Sequence, residues 1–252
     1  MLTRFYVELK KSRHRNIFLL LLVLLGVAAL WLSFSLSSIS DKSILMNAGY
    51  YNVLYQFPMI NTILLPLFLA VLASRIWDSE NKGNTYKLLC TLEKRGELYH
   101  SKTFFGAVLI FFVTAGETAI IPLLGMAYHL KQPLPGRHLL FFFLATFLSG
   151  IMLYLLQQII SFRFENQLGA LTLGLIGSFA GLFSLFFPRQ ISFFVISSYF
   201  SLMQTVGMNW DRATRAISFY EVPFSIPYFF WTLFLAVFIY LIGRLVFARK
   251  EL

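Results

Sequence analysis

Residues 17–37 read IFLLLLVLLGVAALWLSFSLS, and no Asp, Glu, Lys or Arg occurs between Asn16 and Ser40. About 20 consecutive apolar residues are enough for a helix to cross the hydrocarbon core of a membrane. This stretch is therefore predicted to be a membrane-spanning helix. Other stretches of the chain share its pattern.

Four further stretches also lack acids, Lys and Arg, and one more contains a single acid, Glu117. Each is long enough to hold an apolar helix that spans the membrane. The pattern predicts six transmembrane helices, near residues 17–37, 56–75, 103–128, 139–162, 168–187 and 226–247.

The composition supports the same class. Hydrophobic residues make up 58% of the chain and charged residues 13%, whereas a soluble domain carries about 25% charged residues. The mean hydropathy is +0.72. The 29 Phe would be a liability in water but are ordinary in lipid. The prediction is an all-α integral membrane protein, with residues 1–252 forming one transmembrane domain.

A seventh apolar run, residues 191–208, is nearly long enough to span. With six spans and both termini in the cytoplasm, fifteen of the 21 Lys and Arg lie inside and six outside, as the positive-inside rule favours. A seventh span would move Arg244, Arg249 and Lys250 outside. Six spans are modestly favoured, and residues 191–208 are predicted to form an interfacial or re-entrant helix on the outer face, before the last span.

The N-terminal region resembles a signal sequence in having basic residues before an apolar run. That run exceeds the usual 7–15-residue core of a cleaved signal. We expect a retained signal anchor with a cytoplasmic N-terminus, in the plasma membrane. The net charge of +10 comes mostly from basic residues beside apolar ends, which orientation rules and anionic lipid explain. A nucleic-acid partner is therefore not expected.

Motifs for catalysis are absent from the sequence. There is no GxxxxGK[ST] phosphate loop, so ATP hydrolysis by this chain is not expected. No GxSxG surrounds any Ser. The four His are scattered; His129 and His138 could approach each other and bind a metal, but polar residues at a membrane interface are the favoured interpretation. No metal site and no cofactor is expected in this chain.

Residues 75–102, RIWDSENKGNTYKLLCTLEKRGELYHSK, form a charged segment between two apolar runs. Thr85 can cap a short helix in it, with Leu88, Leu89 and Leu92 on one side. Lys94 and Arg95 would lie in its last turn and favour the helix dipole. The segment is predicted to hold an amphipathic helix near residues 85–95, for which Gly96 can provide a left-handed exit. Physical arguments alone support two roles about equally: the helix could lie on lipid headgroups, or it could dock on a cytoplasmic partner.

The charged segment resembles the permeases of type-2 ABC exporters. In those proteins the stretch after the second span often reads E-x-x-x-G-T-[FYL]-x-L-L-x-T-x-P-x-[KRS]-R. Two departures occur here, Asn84 between the Gly and the Thr, and Glu93 in the Pro region. The GNTYKLL form is especially similar to the lantibiotic-immunity and bacitracin-type permeases. The matching residues are Glu80, Gly83, Thr85, Tyr86, Leu88, Leu89, Thr91 and Arg95.

The resemblance implies a coupling helix that docks on a separate cytoplasmic ABC ATPase dimer, which would bind ATP and Mg²⁺. Glu80 would anchor the start of this element, although a solvated loop acid is an equal alternative. Leu88, Leu89 and Leu92 would fill a groove on the ATPase, and Arg95 would face an acidic rim or lipid phosphates. A second permease chain, identical or related, would complete the transporter in the bilayer.

Glu117 is the one acid within a predicted span. An acid at this depth costs at least about 2.5 kcal/mol on insertion, so it should face protein or water. It could contact a cationic substrate or hold a proton. The favoured alternative is a protonated acid bonded to Thr114, Thr118 or a neighbouring helix.

Small residues in the fifth predicted span suggest close helix packing. Gly177 and Gly181 form a Gly-x-x-x-Gly pair, and Gly174 lies on the same stretch. They could lie between two permease chains, but packing within the chain is at least as well supported.

Three functions compete on these grounds. An ABC exporter permease that expels a membrane-active peptide or amphipathic antibiotic, and so protects the cell, is favoured by the resemblance. A gradient-driven carrier usually shows inverted repeats and several buried polar groups, and only one buried acid is evident here. A membrane enzyme or assembly factor would need a polar cluster, which the sequence does not reveal.

Overall fold

The computed structural model describes residues 7–11, 16–39, 42–82, 95–164, 167–211 and 217–249. Within these ranges most of the chain is helical. In chain order the first helices are α1 (Ile17–Ser37), α2 (Lys42–Lys82), α3 (Arg95–Ala127), α4 (Gly136–Arg163) and α5 (Gln167–Ser184). The remaining elements are α6 (Arg189–Ser192), a 3₁₀ helix (Ile196–Ser198), α7 (Tyr199–Leu202), β1 (Val206–Trp210), β2 (Ile217–Glu221) and α8 (Ile226–Ala248).

Five helices of the described ranges are long and apolar enough to cross a membrane: α1, α2, α3, α4 and α8. This confirms a helical membrane protein with several spans. The predicted span near 168–187 corresponds to a shorter apolar helix, Leu168–Ser184. Its length lies at the lower limit of about 17 residues for a spanning helix. A sixth span therefore stays a prediction.

Helix α2 begins at Lys42, well before the span predicted near 56–75, and residues 43–55 are as free of charge as the predicted span itself. Pro58 and Pro66 lie inside it without ending it. Prolines are tolerated in membrane helices where neighbouring groups satisfy the freed backbone carbonyls. The long helix carries the chain from one end of the bundle to the other.

The start of α3 corrects a second expectation. Gly96 does not end a helix in a left-handed conformation; it lies in the first turn of α3, and no described glycine has a positive φ. Glu97 lies in the same turn, where an acid favours the positive end of the helix dipole. The predicted helix near 85–95 lies outside the described residues, apart from Arg95.

The glycines of α5 pack against α2 within the same chain. A Cβ on Gly174 would overlap that of Ala70, and a Cβ on Gly181 would overlap the backbone oxygen of Thr62. A Cβ on Gly177 would lie 3.5 Å from Pro66, an ordinary contact. Close approach of the two helices therefore depends on some of these glycines more than on others.

Residues 191–208 do not form the single helix that was predicted. They fold into short helical turns, which lead into β1. Serine hydroxyls compete with helical hydrogen bonding here: the Ser198 Oγ donates to Ser192 O at 2.5 Å, and the Ser197 Oγ donates to Gly177 O at 2.8 Å. Gly177 lies seven residues before the end of α5, so the segment re-enters the bundle by about 10 Å.

Strands β1 and β2 form an antiparallel hairpin that the sequence pattern did not predict, so the all-α class holds for the bundle but not for every element. Val206 pairs with Glu221 and Trp210 with Ile217. We call the end of the bundle that carries this hairpin the hairpin end, and the opposite end, where α1 begins and α2 ends, the N-terminal end.

The packing of α5 on α2 leads to a matched test. Gly181→Ala should destabilise the protein by about 1–3 kcal/mol, since the added methyl group meets a backbone atom rather than a movable side chain. Gly177→Ala should be nearly neutral. Unfolding temperatures of both purified variants in one detergent would show this. Equal effects would contradict the proposed difference in packing.

Candidate functional site

The two helices on either side of residues 83–94 each bury an aromatic side chain a little more than one turn from that stretch. Trp77, near the end of α2, and Tyr99, near the start of α3, each have 0% exposure. Their ring centroids are 6.4 Å apart. The two ends of the charged segment therefore meet in a packed region of the bundle.

Two further aromatic side chains complete this region. Phe162 of α4 and Phe247 of α8 place their ring centroids 5.3 Å and 5.2 Å from that of Trp77. Phe162 also lies 6.3 Å from Tyr99. Aromatic pairs at such distances contribute about 0.5–1.5 kcal/mol each beyond their buried area. Trp77, Tyr99, Phe162 and Phe247, here called the aromatic cluster, join the ends of four helices.

A buried ion pair lies beside the aromatic cluster. The Lys102 Nζ is 3.4 Å from Glu8 Oε1, donates to the backbone oxygen of Ile76 at 3.1 Å, and lies 5.3 Å from the centre of the Trp77 ring. Lys102 is fully buried and Glu8 nearly so. Removing one partner of such a pair is strongly destabilising, because the other charge stays buried. Residues 7–11 are thereby fixed to the ends of α2 and α3.

Most residues predicted to contact an ATPase lie outside the described ranges: Gly83, Thr85, Tyr86, Leu88, Leu89 and Leu92. Glu80 falls in the last turns of α2, and Arg95 begins α3. The side chains of these two also fall outside the described part. The role of these residues in coupling stays a prediction. The structure does describe the aromatic cluster and the ion pair that involve the two helices flanking residues 83–94.

Glu117 lies in the middle of the bundle with 0% exposure. Its Oε2 accepts a hydrogen bond of 2.8 Å from Asn61 Nδ2 of α2. The hydroxyl of Thr118 instead donates to Thr114 O, within α3. Asn61 was not singled out from the sequence, although it is the only Asn, Gln, Asp or Glu between Phe57 and Ser74.

A polar junction at the hairpin end was also missed. Tyr51 of α2 donates a 2.6 Å hydrogen bond to Glu221 Oε1, and His138 Nε2 of α4 lies 3.5 Å from the same oxygen. The other ring nitrogen of His138 is 2.9 Å from Thr205 Oγ1, and Val222 N donates to Thr205 O. The hydrogen bond from Tyr51, followed by the charge of His138, lowers the pKa of Glu221.

His138 is thus a structural partner of the hairpin in this conformation. Among the described residues, no three His, Cys, Asp or Glu side chains come together in a way that could hold a metal ion.

The sequence profile described as ABC-2 family transporter protein matches residues 5–181. The match spans well over half of the 252 residues. The chain belongs to the ABC-2 transporter family. It is accordingly the multi-pass membrane permease component of an ABC transporter, a family whose members generally work with an ATPase partner. No curated protein and no solved structure matches the chain.

The matched range of the ABC-2 permease contains the charged segment, Glu117 and three members of the aromatic cluster. Phe247 and the hairpin lie beyond it.

Packing of the aromatic cluster can be tested with two tryptophans. Trp77→Ala should lower the free energy of unfolding by about 3–5 kcal/mol, because a large buried ring is lost. Trp210→Ala, at a site 55% exposed, should change it by about 0.5 kcal/mol or less. Thermal unfolding of both variants in the same lipid nanodisc would compare them. Similar losses would contradict the role of the cluster.

Attachment of the hairpin should depend on pH. The pKa of Glu221 is lowered in the folded protein, so the ionised carboxylate stabilises the attachment of the hairpin. This stabilisation is fully present above the ordinary carboxyl pKa, about 4.3, and is lost as the pH falls through the lowered pKa of the folded protein. Hydrogen exchange of β1 and β2 should be slower in the wild type than in Glu221→Gln at neutral pH. The two proteins should converge in acid.

Glu97→Gln, which alters an exposed acid at the opposite end, should behave as the wild type at every pH. A difference between the wild type and Glu221→Gln that persists unchanged in acid would rule out this junction as the cause.

Proposed function

We propose that this ABC-2 permease is the membrane part of an ATP-driven exporter that protects its bacterial cell. Its cargo would be a membrane-active, lantibiotic-like peptide or an amphipathic antibiotic, which it moves out of the cell or out of the membrane. ATP and Mg²⁺ bind to the separate ATPase dimer. The chain itself supplies the path through the bilayer.

The observation that carries this proposal is the anchoring of the charged segment. Trp77 and Tyr99 stand at its two ends and pack against α4 and α8 through Phe162 and Phe247. An ATPase that pushes on residues 83–94 would therefore move four helices together. An isolated surface loop would absorb the same push without moving the bundle.

The distribution of basic residues supports a cytoplasmic position for this segment. Arg75, Lys102, Arg163, Arg244 and Arg249 belong to the N-terminal end of the bundle. The described part of the hairpin end carries fewer Lys and Arg. Cytoplasmic regions next to membrane spans are enriched in these residues, which supports the proposal that both termini lie in the cytoplasm.

The outward surface of the bundle is apolar, as contact with lipid requires, and it is compatible with an apolar or amphipathic cargo that reaches the permease from the membrane. Large apolar side chains cover the exposed faces of α1, α5 and α8. Two permease chains, identical or related, would enclose a path lined mainly by such faces. A path of this character suits a peptide that already partitions into the membrane better than a polar solute.

Copurification tests the proposal. The tagged chain, isolated from its own cells in mild detergent, should carry a soluble ATPase in stoichiometric amount. Glu80→Ala or Leu89→Asp should reduce the bound ATPase at least tenfold, about 1.4 kcal/mol, because an anchoring contact is lost. ATP hydrolysis by the eluate and a stained gel would measure both effects.

Leu134→Asp is the matched control, since it places the same charge on an exposed site at the hairpin end. It should retain the ATPase. A single permease band without any ATPase, stable across detergents, would refute the exporter proposal and favour a gradient-driven carrier.

A further inference from the structure

We propose that Glu117 and Asn61 form a proton-binding site in the middle of the membrane bundle, and that separation of α2 from α3 opens this site toward the hairpin end. Both side chains are buried, with exposures of 0% and 1%. They belong to different helices and are joined by the 2.8 Å hydrogen bond from Asn61 Nδ2 to Glu117 Oε2.

The surroundings of the second carboxyl oxygen of Glu117 indicate that the ligand is a proton. Glu117 Oε1 is buried and has no hydrogen-bond partner among the described residues. The same is true of the Thr114 hydroxyl, which lies one turn earlier on α3. A proton on Oε1 neutralises the acid and turns this oxygen into a donor. An organic ammonium group has no room beside a side chain that is completely enclosed.

Charged groups that could replace the proton are absent from the surrounding helices. Residues 16–40, 43–74 and 139–162 contain no Asp, Glu, Lys, Arg or His. Two tyrosines pack along α3 on either side of Glu117: Tyr154 packs on Gly106, about three turns away, and Tyr50 packs on Gly125, about two turns away. Among the described residues, Asn61 is the one hydrogen-bond partner that an ionised carboxylate would have in this arrangement, and burial without a counter-charge strongly disfavours ionisation.

Three prolines mark where the helices can part. Pro58 and Pro66 flank Asn61 in α2, and Pro122 follows Glu117 in α3. Each proline lacks the N–H that would bond the carbonyl four residues earlier, so bending is easiest at these points. The Asn61–Glu117 contact therefore lies between weak points of two neighbouring helices.

A small cavity of about 10 Å³, with room for roughly one water, lies between α2 and the hairpin end. It is lined by Pro58, one turn from Asn61, and by the polar residues Thr146, Gln204 and Thr205. The side-chain oxygen of Gln204 is buried without a hydrogen-bond partner among the described residues. Buried polar atoms of this kind favour entry of water. Bending at Pro58 would connect the cavity with Glu117.

Infrared spectroscopy of the full chain in lipid nanodiscs tests the site without any ATPase. At about neutral pH the wild type should show the C=O band of a protonated carboxyl group, which shifts in D₂O. The band should be lost in Glu117→Gln and retained in Glu97→Gln, a control on the same helix. In Asn61→Ala it should move to the frequency of a more weakly bonded carboxyl group.

Identical spectra for the wild type and Glu117→Gln, each variant eluting as a folded monodisperse protein, would overturn the site. They would show that Glu117 is ionised.

The separation of α2 from α3 is measured by how fast the C=O band of Glu117 shifts after transfer of the protein to D₂O. Pro58→Leu restores the missing helical donor and should slow the shift severalfold. Pro188→Leu, outside the spanning helices, should leave it unchanged. Equal rates for Pro58→Leu and the wild type would overturn the proposed opening. Because no ATPase takes part, these outcomes are independent of the copurification result.

Discussion

Close packing around α2 is the interaction on which the rest of the bundle depends. This helix contacts α1, α3, α4 and α5. In its most apolar stretch 72% of the residues are buried, against 17% in that of α8. Lipid tails are as apolar as Leu, so burial from water does not hold membrane helices together. Close packing and hydrogen bonds between helices do so, and the glycines of α5 allow the close approach that packing needs.

Polar groups inside this bundle are handled in two ways. Hydroxyl groups mostly bond within their own helix, as Thr62 does to Pro58 O and Thr103 to Tyr99 O. Such bonds satisfy carbonyls without involving a second helix. Lys102 and Glu117 instead bond across helices. Because the alternative in lipid is an unsatisfied group, these cross-helix bonds hold particular helices to particular partners.

Apolar periodicity and charge gaps predicted the spanning helices well where charge marked their ends. The predicted 17–37 coincides with α1, and 226–247 differs from α8 by one residue. The prediction was poor for the start of α2, because the tyrosines and asparagines before Gln56 carry no charge and fit a loop or a helix equally well. Charge gaps locate apolar runs and do not show where a helix begins.

Some residues of the candidate sites could be predicted from the sequence and others could not. Glu117 was evident from the sequence, since one acid in an apolar run is conspicuous, but its partner Asn61 lies 56 residues away and depends on how α2 packs on α3. The aromatic cluster was hidden because Phe and Trp occur throughout the chain. The hairpin was hidden because its strands are short and mostly exposed, so neither strand alternates clearly between polar and apolar residues.

The length of α2 has a mechanical consequence. Its 41 residues span about 60 Å, roughly twice the thickness of the hydrocarbon core. Glu80 lies near one tip, and Tyr51, which bonds the hairpin, lies near the other. The contacts of α2 with α5 lie between them, and so do Pro58 and Pro66, where α2 bends most easily. A push near Glu80 would therefore reach the hairpin as bending of α2 at these prolines, so an event on one side of the membrane would change the angle at which the hairpin is held on the other.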